Sequence, residues 1–242
     1  IKADIDTDLS DARVGEFFTE ESYPIFKQLE LKSYLKKFDN VAVKEETISY
    51  KTLEDMVEVE ACFASFAKED KVAVIPIMDK KGRDLELLAT VVVCKDRQVY
   101  YMPVGGFMTA QYFSEKLSVL AQNTTIIGFG LKPQYALYNA EDTKNFFDVL
   151  IAAYLLNPLK SDYEIEDVAN EYLGQMMPDF KEKFGKDSVR SLFENKNYEL
   201  ISYMAKQAVV CFDAYEILKE KLSEEGMLTL FEEIEMPLSL VL

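Results

Sequence analysis

Hydrophobic and polar positions change period several times along this chain. The first twenty residues are polar and only weakly periodic, and they read as a linker. "TEESYPIFKQLELKSYLKKF" then opens with Thr19 followed by acidic residues. Leu31, Tyr34, Leu35 and Phe38 recur at helical spacing, so a helix is expected over 19–38. "TISYKTLEDMVEVEACFASF" predicts a strand-like piece and then a helix. Three runs rich in apolar, β-branched or aromatic residues follow, at 72–78, 86–94 and 98–103, and each predicts a strand. The last two are joined by "KDRQ" as a hairpin turn.

Beyond them the period returns to that of helices. "TAQYFSEKLSVLAQN" is amphipathic, and "TTIIGFGL" is a short buried strand. "TKNFFDVLIAAYLLNP" is apolar almost all round. It predicts a central helix, nearly wholly buried over 146–156 and ended by Pro158. "SDYEIEDVANEYLG" is a further helix, with Ser161 or Asp162 as its cap and Gly174 as its stop. Residues 181–194 suggest two short helical turns. A long helix then runs from Tyr198 to Gly226, and "MLTLFEEIEMPLSLVL" begins another that Pro237 should interrupt. The order, a helix, a cluster of strands, then a strand and helices, indicates an α/β or α+β domain with a mixed, twisted sheet flanked by helices.

Composition narrows the chemistry. With 242 residues the chain can bury a substantial core, and 49% hydrophobic with 29% charged residues is ordinary for a globular domain. No apolar run reaches 18 residues, so no transmembrane helix is expected. The acidic N-terminus lacks the pattern of a signal peptide, which leaves the cytoplasm as the expected location and no membrane partner. Three scattered cysteines, Cys62, Cys94 and Cys211, predict neither a disulfide framework nor a zinc site; Cys94 and Cys211 sit in apolar contexts and read as buried thiols. The absence of His removes Ser-His-Asp triads, Cys-His pairs and imidazole metal ligands, but leaves carboxylate–Mg²⁺ chemistry open. A net charge of −16 disfavours tight independent binding of nucleic acid, because phosphate contacts with cations supply most of that affinity. "PVGGF" lacks a helix-opening G-x-G-x-x-G and reads as a turn. With no initiator Met and an abrupt end at "LSLVL", the chain is expected to be a piece of something longer.

Three segments in order resemble one family. "FFTEESYPIFKQLELKSYLKKF" looks like the segment after the 5′-nuclease region of bacterial DNA polymerase I. "FFDVLIAAYLLNPLKSDYEIEDVANEYLG" is similar to that family's D-x-x-x-A-x-Y-L-L-N-P helix–loop–helix. "LFEEIEMPLSLVL" resembles the opening of its polymerase domain, where an E-x-E-x-P-L run leads into the first thumb helix. The resemblance covers essentially the whole chain. It implies a 3′–5′ exonuclease-like domain with a ribonuclease H-like fold over 21–225, preceded by an interdomain linker (1–20) and followed by the truncated start of the polymerase domain (226–242).

In active members of that domain two Mg²⁺ ions are held between four carboxylates, where they generate the attacking hydroxide and stabilise the leaving oxygen. The first family motif is D-x-E on a strand, often D-x-E-x-D. Here "IPIMD" falls on it, with Ile75 and Ile77 at the ligand positions and only Asp79 acidic. The second, N-L-K-Y-D, reads "GLKPQ", with Gln134 at the Asp. The third, Y-x-x-x-D, reads "YMAKQ": Tyr203 matches and Gln207 replaces the Asp. Alkyl and amide groups lack the negative charge that a hard divalent ion requires. Residues 71–78 hold no acid at all, so a shifted register cannot restore the motif.

Nearby acids are poor substitutes. Asp213, six residues beyond Gln207, points about 120° away on a helix. Asp148 reads as a helix-start acid, and Asp84 and Glu86 read as solvated. Pro76 inside a strand suggests a bulge or an edge.

The resemblance therefore implies a vestigial exonuclease domain with no catalytic residue, no metal and no cofactor of its own, Asp79 being a remnant. Its job would be a structural base for the polymerase domain of the same chain. DNA would be a partner, and Mg²⁺ a cofactor, only of the full-length polymerase acting in replication and repair. Ile75, Ile77, Gln134 and Gln207 should converge on one shallow cleft. The alternatives are an active metal-dependent proofreading exonuclease with non-standard ligands, and a stand-alone ribonuclease H-like interaction module.

Overall fold

The computed structural model describes residues 48–241 apart from 82–83, 161–162 and 196–197, together with 17–19, 21–22, 25–26, 29, 31 and 34. The expected linker and most of the expected helix over 19–38 lie outside the described residues, as do Ser161 and Asp162. Residues 1–46 and 47–242 form two compact units. In the first, Thr19 and Ser22 bond reciprocally: the Ser22 Oγ accepts from the Thr19 amide at 3.0 Å, and the Thr19 Oγ1 accepts from the Ser22 amide at 3.3 Å.

The second unit is built on a six-stranded mixed sheet in the order β1-β4-β3-β2-β5-β6. Its strands are β1 (Lys51–Thr52), β2 (Lys71–Lys81), β3 (Asp84–Cys94), β4 (Gln98–Pro103), β5 (Thr125–Gly128) and β6 (Phe146–Asp148). β3 runs antiparallel to both β2 and β4, whereas the β1–β4, β2–β5 and β5–β6 pairs are parallel. The β3–β4 turn holds Asp96 and Arg97 at φ 59° and 57°; two successive positive φ values match the right-handed twist of a hairpin.

Helix α1 (Met56–Phe66) and helix α2 (Ala110–Leu120) cover one face of the sheet. The Phe66 ring meets Tyr100 of β4 at 5.4 Å, and Phe63 meets Phe113 at 6.5 Å. Tyr100 pairs with Val92, which pairs with Val74, so these three share that face. The alternate residues, Lys71, Ala73 and Ile75, face the other way, toward the long helix Tyr198–Glu224. Between β6 and that helix lie α3 (Val149–Leu156), α4 (Ile165–Leu173), α5 (Phe180–Phe184) and α6 (Val189–Glu194), so the long helix is α7. The ammonium of Lys71 pairs with Glu216 of α7 and lies 4.5 Å from the centre of the Tyr215 ring.

Several expectations need correction. Residues 146–148 are a strand, not the start of a helix: Phe146 and Phe147 pair with Ile126 and Ile127, and the helix begins only after Asp148, its N-cap. That helix is not wholly buried, because Tyr154 is 47% exposed. The helix after residue 162 is capped at Glu164, whose amide donates to the Asp167 Oδ2 at 3.0 Å; Gly174 ends it at φ 62°. Pro237 does not interrupt the last helix. Residues 228–230 and 236–241 are α-helical around a π-turn at Phe231–Glu235, and this widened turn accommodates a proline that cannot donate to the preceding turn.

Pro76 lies in β2, an interior strand by sheet order. β5 pairs with β2 only at residues 71–73, so β2 is an edge where Pro76 sits, and the missing donor costs no ladder bond on that side. A register shift against β3 follows directly, between Ile77 and Met78.

Candidate functional site

The edge of β2 that β5 leaves open is one wall of a cleft of about 450 Å³. Ile75, Pro76 and Met78 of β2 line it with Leu85 of β3. Pro133 and Gln134 of the 3₁₀ turn after β5 and Met204 and Gln207 of α7 complete it. Met204 and Gln207, three residues apart, are neighbours on one helix face. Ile75, Gln134 and Gln207 therefore lie together, although 59 and 73 residues separate them along the chain.

Ile77 does not join them. It is fully buried and does not line the cleft, contrary to the expected four-way convergence. An isoleucine gains about 1.5–3 kcal/mol by such burial, whereas a metal ligand would have to face the ion. Tyr203 is also absent from the lining. It is buried one turn before Gln207 and packs edge-on against Phe180 at 5.5 Å and Phe184 at 5.7 Å, with its phenol pushed well up by burial.

The loop bearing Gln134 is held by a residue whose reach the sequence did not reveal. Asp148 is buried, and its carboxylate caps α3 by accepting from the Leu150 amide at 2.9 Å. It also accepts from the Gly130 amide at 2.9 Å and the Leu131 amide at 2.6 Å. One side chain thus fixes a helix start and the turn that places Gln134. Burial raises the Asp148 carboxyl, and the amide donors oppose that rise. Gly128 leaves room for this turn: a Cβ there would stand 2.5 Å from the Leu131 Cδ2. The buried Gln134 donates from Nε2 to the Phe129 carbonyl at 3.1 Å and the Gly130 carbonyl at 3.2 Å, so its amide is turned toward its own turn.

Acids near the cleft are committed elsewhere. Asp79 is bound by the Arg190 guanidinium of α6, Nε to Oδ2 at 3.1 Å, and does not line the cleft. The same guanidinium donates from Nη2 to the Glu86 Oε2 at 2.7 Å, so Glu86 is ion-paired and not simply solvated as expected; the side chain of Asp84 lies outside the described residues. Asp213 pairs with Arg97 at 3.2 Å and ties the β3–β4 turn to α7. Cys94 and Cys211 are buried thiols, with Cys94 pushed up to about 11 chiefly by burial. The lining of the cleft contains no carboxylate, and among the described residues no three Cys, Asp or Glu side chains gather as a metal site. This donor set does not fit a pair of Mg²⁺ ions, which need anionic oxygen ligands.

No family model matches the chain. The chain is 30% identical to DNA polymerase I of Caldicellulosiruptor bescii over 172 residues, 68% of this chain and 18% of that protein. To DNA polymerase I of Borreliella burgdorferi it is 24% identical over 211 residues, 81% of this chain and 22% of that protein. Most of this chain is homologous to DNA polymerase I. It spans about a fifth of the length of these two relatives.

Solved structures give the fold. RNase D of Escherichia coli, an exoribonuclease, matches with a TM-score of 0.64 at 9% identity, covering 80% of this chain and 50% of that one. The EXO domain of Aedes aegypti Nibbler matches with a TM-score of 0.56 at 12% identity, covering 75% and 94%. The POL domain of Pol1 from M. smegmatis, solved with DNA primer-template and dNTP, matches with a TM-score of 0.58 at 14% identity, covering 78% and 30%. The chain has the ribonuclease H-like fold of 3′–5′ exonuclease domains. Among the described residues no helix is long and apolar enough to cross a membrane.

Proposed function

We propose that this chain is a catalytically inactive 3′–5′ exonuclease-like domain of a DNA polymerase I, retained as a structural base for the polymerase domain. In this reading the exonuclease-like domain occupies 21–225, and residues 226–242 open the polymerase domain. DNA is then a partner of the full-length protein, which works in replication and repair in the cytoplasm with Mg²⁺ at its polymerase site. The observation that carries the reading is the cleft: Ile75, Gln134 and Gln207 stand together where the family resemblance assigns metal-binding carboxylates, and none of them is an acid. Two further features support it. Asp79 is bound to Arg190, and Ile77 has joined the core. The net charge of −16 fits weak DNA binding by the isolated domain at physiological salt.

Metal binding tests the reading. A Mn²⁺ titration read by electron paramagnetic resonance should show only weak, salt-sensitive association, equal in the wild type and in Asp79→Ala. A tight site abolished by Asp79→Ala would overturn it.

A further inference from the structure

Side chains at 75, 77 and 79 of β2 alternate onto one face of the strand, and the family resemblance puts the first two metal-binding acids at 75 and 77. The fold treats these three neighbours differently. Ile75 reaches the cleft. Ile77 is fully buried, and Asp79 is held by Arg190 of α6, a helix that packs on β2. The cleft instead runs round the free edge of the strand, onto Pro76, Met78 and the exposed Leu85. The misfit to a pair of divalent ions is therefore one of placement as well as of charge: only three of the four ligand positions, 75, 134 and 207, border the cleft.

We infer that this loss is built into the packing of β2, so that acids restored at the motif positions would not restore a two-ion centre. The inference rests on the chain being an inactive exonuclease-like domain. Acids at 75, 134 and 207 would set three carboxylates around one space, enough for a single hard cation, whereas a second ion beside it needs further anionic oxygens. An acid at 77 cannot supply them. Buried where α6 and α7 pack on β2, it would lie away from water and from the cleft. Such a carboxyl keeps its proton and offers no charged oxygen. Met78, not Ile77, is the side chain that follows Ile75 along the cleft wall.

The test counts bound Mn²⁺ by electron paramagnetic resonance in three forms of the full chain: the wild type, Ile75→Asp with Gln134→Asp and Gln207→Asp, and that triple variant carrying Ile77→Glu as well. The triple variant should bind at most one ion, and Ile77→Glu should add neither a second ion nor tighter binding. A second ion, or binding about tenfold tighter, in the quadruple variant would overturn the inference. Where Ile77→Glu prevents folding, thiol access decides. Ile77→Cys and Met78→Cys, each alone in the native chain, are treated with a maleimide, and the modified position is read by peptide mass spectrometry. Met78→Cys should react in the folded protein and Ile77→Cys only once it unfolds; equal rates would overturn the inference. The wild type reports separately on the cleft: a tight Mn²⁺ site there would sink the inactive reading, whereas a gain from Ile77→Glu would sink this inference alone.

Discussion

Asp79 of β2 and Glu86 of β3 stand directly opposite each other in the antiparallel ladder, and Arg190 of α6 donates to both. Like charges in cross-strand register repel, so the guanidinium is what permits this pair beside the cleft. Arg190→Met should lower the melting temperature, and the loss should shrink by roughly half at 1 M salt, where the Debye length is about 3 Å. Adding Glu86→Gln should restore most of the difference. Thermal melts of the two single variants and the double variant at low and high salt check this. An additive double variant would show that the opposed acids do not depend on Arg190.

Asp148 carries more than a helix cap. Asp148→Ala would leave the Gly130, Leu131 and Leu150 amides without their carboxylate partner, and it should cost about 3 kcal/mol or more. Urea unfolding measures the loss. In the folded remainder, amide hydrogen exchange should rise first at Gly130 and Leu131, because both amides of the turn after β5 donate to this carboxylate. A loss confined to α3 would contradict this account of how Gln134 is positioned.

Acid should weaken the α1–α2 contact. Glu60 accepts from the Lys116 ammonium at 2.6 Å and the Tyr112 hydroxyl at 2.8 Å, and these bonds, the lysine first, hold its carboxyl below the ordinary value. A folded-state pKa below the unfolded one gives stability that is whole at neutral pH. That stability fades as pH falls from the ordinary carboxyl range through the lowered value. Glu60→Gln should therefore be less stable than the wild type at pH 7, and the gap should narrow at about pH 3, below the ordinary carboxyl range. Urea midpoints of both proteins at the two pH values decide it. A gap that widens in acid would reverse the sign.

How much of this was legible depended on how local the determinants are. β2, β3 and β4 could be read because their runs of apolar, β-branched or aromatic residues are bounded by charged or turn residues, and the central strands need no distant information. β6 could not, because Phe146 and Phe147 run without a break into an apolar helix, and only pairing with Ile126 and Ile127 makes them a strand. The positions Ile75, Gln134 and Gln207 came from motif resemblance, and the structure brings them to one cleft. Ile77 was misplaced because Pro76 signals a bulge or an edge without saying which side chain the shift beside it buries. The binding of Asp79 was hidden for a plainer reason: Arg190 lies 111 residues away and matches no motif.

The central claim is that the fold of a 3′–5′ exonuclease domain persists here around a cleft that no longer hydrolyses phosphodiesters. Its most direct test is incubation of the purified chain with a 5′-labelled single-stranded DNA, in Mg²⁺ and separately in Mn²⁺, beside Asp79→Ala prepared in the same way. Each missing ligand weakens the metal and misplaces the nucleophile, so the strand should keep its full length with either ion and either protein. Degradation unchanged in Asp79→Ala would point to contamination or to a site elsewhere. Metal-dependent shortening from the 3′ end that vanishes in Asp79→Ala would contradict the account, because it would mean that Asp79 leaves Arg190 to anchor a working centre.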